Sequence, residues 1–187
     1  MYSQETVTLK RECVATEIPS GKQVILYPGT ELRLTQALGG TFTVTTYTGL
    51  MASIAGKDAD AIGKEVPEEV KKAEEDLKAE KPIEDLIWAQ LRTCYDPEIP
   101  HNIVDLGLIY ECKISDFPLS SEPGDTKVDI RMTLTAPGCG MGDWLKQDIR
   151  NKLLTIPKVK DVNVEMTFDP PWNPSKMHPA LRRSLNL

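Results

Sequence analysis

KVDIRMTLTAPGCGMGDWLKQDIRNKLLTI occupies residues 127–156. In its first part Val128, Ile130, Met132 and Leu134 alternate with Asp129, Arg131 and Thr133. A period of two is that of a strand with one face turned inward. In its last part Leu145, Ile149, Leu153 and Ile156 recur at helical spacing. The chain therefore passes from a strand into a helix through Pro137, Gly138, Cys139, Gly140 and Gly142. A glycine-bracketed cysteine just ahead of a helix N-terminus lies near free N–H groups and a positive dipole end, which favour thiolate.

Two further segments extend this unit on either side. PIEDLIWAQLRTCYDP sets Ile83, Leu86, Ile87, Leu91 and Cys94 on one helical face, with Pro82 suited to the first turn. Pro97 forces that helix to stop by Tyr95 or Asp96. IVDLGLIYECKIS (103–115) reads as a strand, and VKDVNVEMTF (159–168) alternates through Val162, Val164, Met166 and Phe168. The order α-β-β-α-β over residues 82–170 predicts an α+β domain with helices packed on a small mixed sheet.

Residues 1–55 have another character. TVTLKREC, KQVILYP, TELRLTQ, TFTVTTYT and LMASIA are strand-like and are separated by Gly- and Pro-bearing turns, which predicts a small all-β unit. Gly39-Gly40 marks its clearest hairpin. So short a unit needs a neighbour to lean on. Residues 56–81 are mostly charged, with Val66, Val70, Ala73 and Leu77 at helical spacing, and read as a linker helix with a solvated face. Residues 171–187 form a Pro-rich tail with a short helix, in which Trp172 packs back on the domain.

Composition narrows the function. The net charge of −6 argues against binding nucleic acid through its phosphates, although ALRRSL puts two arginines side by side near the C-terminus. No apolar run reaches the roughly 20 residues needed to span a bilayer, and MYSQETVTLKREC has no apolar signal core. These features predict a cytoplasmic chain without a membrane partner. The cysteines Cys13, Cys94, Cys112 and Cys139 include no CxxC pair, so they read as free thiols in a reducing compartment. Cys13, Cys94 and Cys112 read as structural, with Cys94 the one helper-ligand candidate.

A second concentration of chemistry is YDPEIPHNIVDLG, which places Asp96, Glu98, His101 and Asp105 between a helix end and a strand start. Asp96 and Asp105 read first as turn caps. The loop and the Cys139 loop both lie at strand ends and are expected to face each other. A thiol enzyme would need His101 or His178 at Cys139, and spacing alone assigns neither.

DPEIPHNIVDLGLIY followed by MTLTAPGCGMG resembles the PaaD-like domain family of iron–sulfur cluster assembly and maturation proteins. PGTELRLTQALGGTFTV and FDPPWNPSKMHPALR make the chain similar to the SufT subgroup of that family. The domain resemblance covers about residues 82–170, and the subgroup features extend over nearly the whole chain. Where many PaaD-like domains have Cys-Pro, this chain has Cys139-Gly140. The resemblance implies a cofactor-binding site of Cys139, Thr135, Asp96, Glu98 and Asp105, with Cys139 as the metal ligand. It implies a non-enzymatic factor that carries an iron–sulfur cluster, held transiently, to apo-proteins supplied by the assembly machinery. Clusters usually take four ligands. A lone thiolate must therefore borrow from a second copy in a homodimer, a small thiol or a recipient. The competing expectations are an adaptor that docks donors and recipients without metal, and a cysteine-dependent enzyme.

Overall fold

The structure is a computed structural model that describes residues 5–79, 81–119, 122–136 and 140–187. It is α+β, as the sequence predicts. Six strands form one antiparallel sheet: β1 (Glu5–Thr8), β2 (Cys13–Ile18), β3 (Gln23–Leu26), β4 (Glu31–Leu38), β5 (Thr41–Thr46) and β6 (Met51–Ala55). Their order across the sheet is β1-β4-β5-β6-β2-β3. Gly39 and Gly40, at φ +59° and +71°, make the two-residue β4–β5 turn that the sequence marks. TVTLKREC is not one strand. Its ends belong to β1 and β2, and β2 runs on to Ile18 with Cys13 and Ala15 inward.

The charged segment is not one helix either. Gly56–Ile62 is a 3-10 helix whose Ala59, Ala61 and Ile62 close the core of the sheet. Its small apolar residues are too tightly packed for the solvated reading. Only Glu68–Lys78 forms the expected helix, α1, with Ala73 buried.

The second unit has a three-stranded sheet in the order β7-β8-β9. β7 (Ile109–Asp116) runs antiparallel to β8 (Thr126–Met132), and β9 (Val159–Met166) runs parallel to it. α2 (Ile83–Leu91) and α3 (Gly142–Leu153) pack with this sheet around one core, in which Ile87, Leu91, Ile130, Leu145, Ile149 and Leu153 are fully covered. At roughly 1.5–3 kcal/mol for each such side chain, this core is the main source of the unit's stability.

Residues 103–108 are not strand, contrary to the sequence reading. Asn102 and Asp105 hold a turn there, and Gly107 takes φ +68° beside the C-terminal tail. A side chain at Gly107 would collide with the carbonyl of Lys176. The tail packs as expected. Trp172 Nε1 donates to the Leu106 carbonyl at 2.9 Å, the His178 N–H donates to that of Asp105, and Met177 and Leu181 join the core. α4 (Pro179–Ser184) ends this strap. No helix among the described residues is long and apolar enough to cross a membrane.

Candidate functional site

Asp96 follows the end of α2, where Pro97 forbids further helix. Its backbone N–H donates to the His101 carbonyl at 3.0 Å, and a bridge between Tyr95 and Asn102 closes the loop. Asp96 Oδ1 accepts from the N–H groups of Glu98 (3.0 Å) and Ile99 (2.8 Å), the turn cap that composition suggests. The same oxygen also accepts from Thr135 Oγ1 at 3.0 Å, across 39 residues of chain. The acidic loop and the segment leading out of β8 are thus tied together.

Asp96 is 2% exposed. Its Oδ2 is buried and makes no hydrogen bond among the described residues. Thr133 Oγ1 and Trp144 Nε1 are in the same condition. The sequence reading had Thr133 facing outward with Asp129 and Arg131. It is instead fully covered, because β8 ends at Met132, and past that end the Thr133 N–H donates to the Leu108 carbonyl. A buried polar group without a partner is costly.

A cleft of about 250 Å³ runs beside Asp96. Asp96, Glu98, Met141 and Trp144 form one wall, and Ile18, Leu38, Thr41 and Met51 of the six-stranded sheet face them. Glu98 is exposed at the mouth. The other wall comes from the N-terminal unit, which reaches α3 directly: Gly21 lies against the Asp143 carbonyl.

Of the predicted site residues, Asp96, Thr135 and Glu98 come together. Asp105 does not share their hydrogen bonds. Its Oδ2 accepts from Asn102 Nδ2 at 2.8 Å and its N–H donates to Asn102 Oδ1, so it holds the turn below the loop. Cys139, between Thr135 and the start of α3 in sequence, lies outside the described residues. Cys94, the helper-ligand candidate, faces the core. It is fully buried, its thiol points to the Gln90 carbonyl at 3.7 Å, and burial pushes its pKa up strongly. Cys13 and Cys112 are pushed up to about 11, chiefly by burial. His178 Nδ1 accepts from the Ala180 N–H and caps α4. Among the described residues no group of three or more His, Cys, Asp or Glu side chains could hold a metal ion.

The sequence reading missed the polar junction behind the cleft. Lys152 Nζ donates to the carbonyls of Thr93 (2.7 Å) and Gly39 (3.2 Å) and pairs with Asp148 Oδ2 at 2.9 Å. Burial would lower the Lys152 pKa, but Asp148 and its neighbours outweigh this and hold it above the ordinary lysine range. One ammonium therefore joins α3, the end of α2 and the β4–β5 turn. The signal was the i,i+4 spacing of Asp148 and Lys152. It looks like a surface pair until the second unit covers it.

One family model and three relatives match this chain. The family model described as iron-sulfur cluster assembly protein matches residues 84–166. The "Fe-S protein maturation auxiliary factor" of Porphyromonas gingivalis is 43% identical over 94 residues, 50% of this chain and 82% of that protein. The "Fe-S protein maturation auxiliary factor SufT" of Staphylococcus aureus is 37% identical over 82 residues, 44% of this chain and 84% of its own length. The "Iron-sulfur cluster carrier protein" of Deinococcus radiodurans is 31% identical over 83 residues, 44% of this chain but 21% of that longer protein. The matched span holds the acidic loop, β8, the Cys139 segment and α3, and the resemblance read from the motifs is borne out: this chain belongs to the iron–sulfur cluster assembly protein family.

Proposed function

We propose that this protein is a non-enzymatic maturation factor that holds an iron–sulfur cluster in transit and hands it to apo-proteins. The observation that carries the reading is the Thr135–Asp96 hydrogen bond. It ties the acidic loop to the segment that continues into Cys139, and Asp96 Oδ2 beside it is buried with no hydrogen bond among the described residues. In this reading Cys139 supplies the one thiolate of the chain to the cluster. Asp96 and Thr135 orient the loop that bears it, and Glu98 stands at the cleft mouth. Asp105 supports the loop from below. The rest of the ligand set comes from the donor, the recipient, a small thiol or a second copy of the chain. Incomplete ligation suits a cargo that must be released, because full enclosure by four protein ligands would hold it.

The names of the relatives from Porphyromonas gingivalis, Staphylococcus aureus and Deinococcus radiodurans support a role in cluster maturation or carriage. The division of labour suggested by the chain is a cluster-handling unit over residues 82–170, with the N-terminal sheet as its added wall.

The test is direct transfer. A reconstituted cluster on the wild-type chain is mixed anaerobically with an apo-ferredoxin in the presence of an iron chelator, and transfer is followed by circular dichroism of the recipient. Transfer that outruns chelation, slowed at least tenfold in Thr135→Ala and abolished in Cys139→Ala, is expected. Transfer at the same rate in all three would contradict the role given to these residues.

A further inference from the structure

Two orphaned polar groups meet in the cleft beside Asp96. Asp96 is 2% exposed and Trp144 7% exposed, and both line the cleft. Asp96 Oδ1 already accepts from Glu98, Ile99 and Thr135, whereas Oδ2 accepts from no group among the described residues. Trp144 Nε1, in the first turn of α3, likewise finds no acceptor among them. A buried acceptor and a buried donor left unmet in one cleft point to an occupant that brings both a donor and an acceptor.

The lining sets the character of that occupant. Its acids are Asp96, Glu98 and Asp148, and no Lys, Arg or His stands among its described lining residues. Asp148 is answered by Lys152 from outside the lining; Asp96 Oδ2 is not answered. A buried carboxylate gains more from a cationic donor than from a neutral one. Among the described residues no three His, Cys, Asp or Glu side chains gather to hold a metal ion, so the cation that suits Asp96 is an organic one. Tyr95 and Trp144 put rings on one wall, and Ile18, Leu38 and Met51 put apolar surface across from them. Such a slot suits a guanidinium on a methylene stem, which is weakly hydrated and packs well on rings, better than a compact and strongly hydrated ammonium. The volume of about 250 Å³ lies below the roughly 300–1,000 Å³ usual for small-molecule sites and gives room for one long side chain.

We infer that this cleft takes an arginine side chain of a partner protein. The guanidinium donates to Asp96 Oδ2. The methylene stem lies between the ring of Trp144 and the apolar wall of the six-stranded sheet. The main-chain carbonyl of the arginine accepts from Trp144 Nε1. A free guanidinium would leave that indole unmet, so the arginine belongs to a chain. A second cleft, of about 600 Å³, shares Thr41 and Asp148 with this one and leaves room for the chain on that side. That the partner is a donor or recipient of clusters rests on the function proposed above; the arginine site rests on the cleft alone.

The test uses the full chain, isotope-labelled for NMR, and Nα-acetyl-arginine amide as probe. Of the three indole N–H signals, that of Trp144 is identified by its loss in Trp144→Phe. The probe is expected to move the Trp144 signal and leave those of Trp88 and Trp172 in place. Asp96→Asn keeps the Oδ1 acceptor and replaces Oδ2, and is expected to weaken binding about tenfold, the loss of one charge-assisted hydrogen bond. Met51→Arg, at a wall position 40% exposed, brings a guanidinium of the chain itself to the cleft and is expected to weaken the probe likewise, should Asp96→Asn fail to fold. Nα-acetyl-citrulline amide, of the same shape without the charge, is expected not to bind, and ethylguanidinium, without the carbonyl, to bind more weakly than the probe. An unmoved Trp144 signal, equal binding of the citrulline probe, or equal binding by wild type and the folded variants would overturn the inference. Ethylguanidinium binding as tightly as the probe would also overturn it, in favour of a free cation. Iron and sulfide retention is measured on the same wild-type chain. Probe binding without retention would leave the arginine site and remove cluster delivery; retention without probe binding would do the reverse.

Discussion

Burial divides the cysteines of the described residues from the chemistry proposed for Cys139. Cys13 and Cys94 are buried, Cys112 is half-buried, and burial raises all three thiols. A thiol held protonated is a poor nucleophile and a poor metal ligand. Brief iodoacetamide treatment of the native protein at pH 7.5 is therefore expected to modify Cys139 alone, as read by peptide mass spectrometry. Labelling of Cys94 at a similar rate would contradict its burial. The same shifts give a stability profile. The folded chain keeps protons on Cys13, Cys94 and Cys112 that the unfolded chain releases from about pH 9 upward. Where the folded state binds more protons than the unfolded state, stability falls as pH rises. The contribution is intact below pH 9 and is lost progressively toward pH 11 and beyond; Tyr95, also raised by burial, acts in the same direction. The urea midpoint should fall between pH 8 and pH 10.5, and Cys94→Ala should flatten that fall. A midpoint independent of pH in this range would refute it.

At the scale of elements, Lys152 carries the junction. It lies on α3 with its side chain 16% exposed, and its three partners belong to three elements. Lys152→Ala leaves Asp148 and two carbonyls without their shared cation. Breaking a buried pair from one side costs about 3 kcal/mol, which in a chain of this length lowers Tm by roughly 6–12 °C. Calorimetry checks this, and a shift under 2 °C would show that the ammonium is not needed. Period revealed β8, α2 and α3, because each buries one regular face, and Gly39-Gly40 marked the β4–β5 hairpin. It failed where a second element decides the matter. Thr133 reads as outward by alternation, but past the end of β8 it is bound by Leu108 and covered. Ile103, Leu106 and Leu108 are apolar enough for a strand, but they are the buried side of a turn imposed by Asn102, Asp105 and Gly107. The 3-10 helix over Gly56–Ile62 was hidden by its flanking charges.

At the scale of the molecule, the N-terminal sheet supplies walls to two adjoining clefts while the second unit supplies the acidic loop and α3. The motifs DPEIP and TAPGCG stand out because each is local in sequence, and the Asp96–Thr135 bond joins the acidic loop to the segment that leads to Cys139. The walls were not legible, since residues such as Ile18, Thr41 and Met51 carry no signal until the sheet folds against α3. The central claim is the proposal that one thiolate, Cys139, takes a cluster that something else completes. The most direct measurement is anaerobic iron–sulfide reconstitution of wild type and Cys139→Ala, with iron and sulfide counted per chain after gel filtration and folding checked by circular dichroism. The account predicts iron and sulfide in equal amounts on wild type, at an elution volume that shows whether two chains share them, and none on a normally folded Cys139→Ala. Equal retention by both proteins, or none by either, would contradict it.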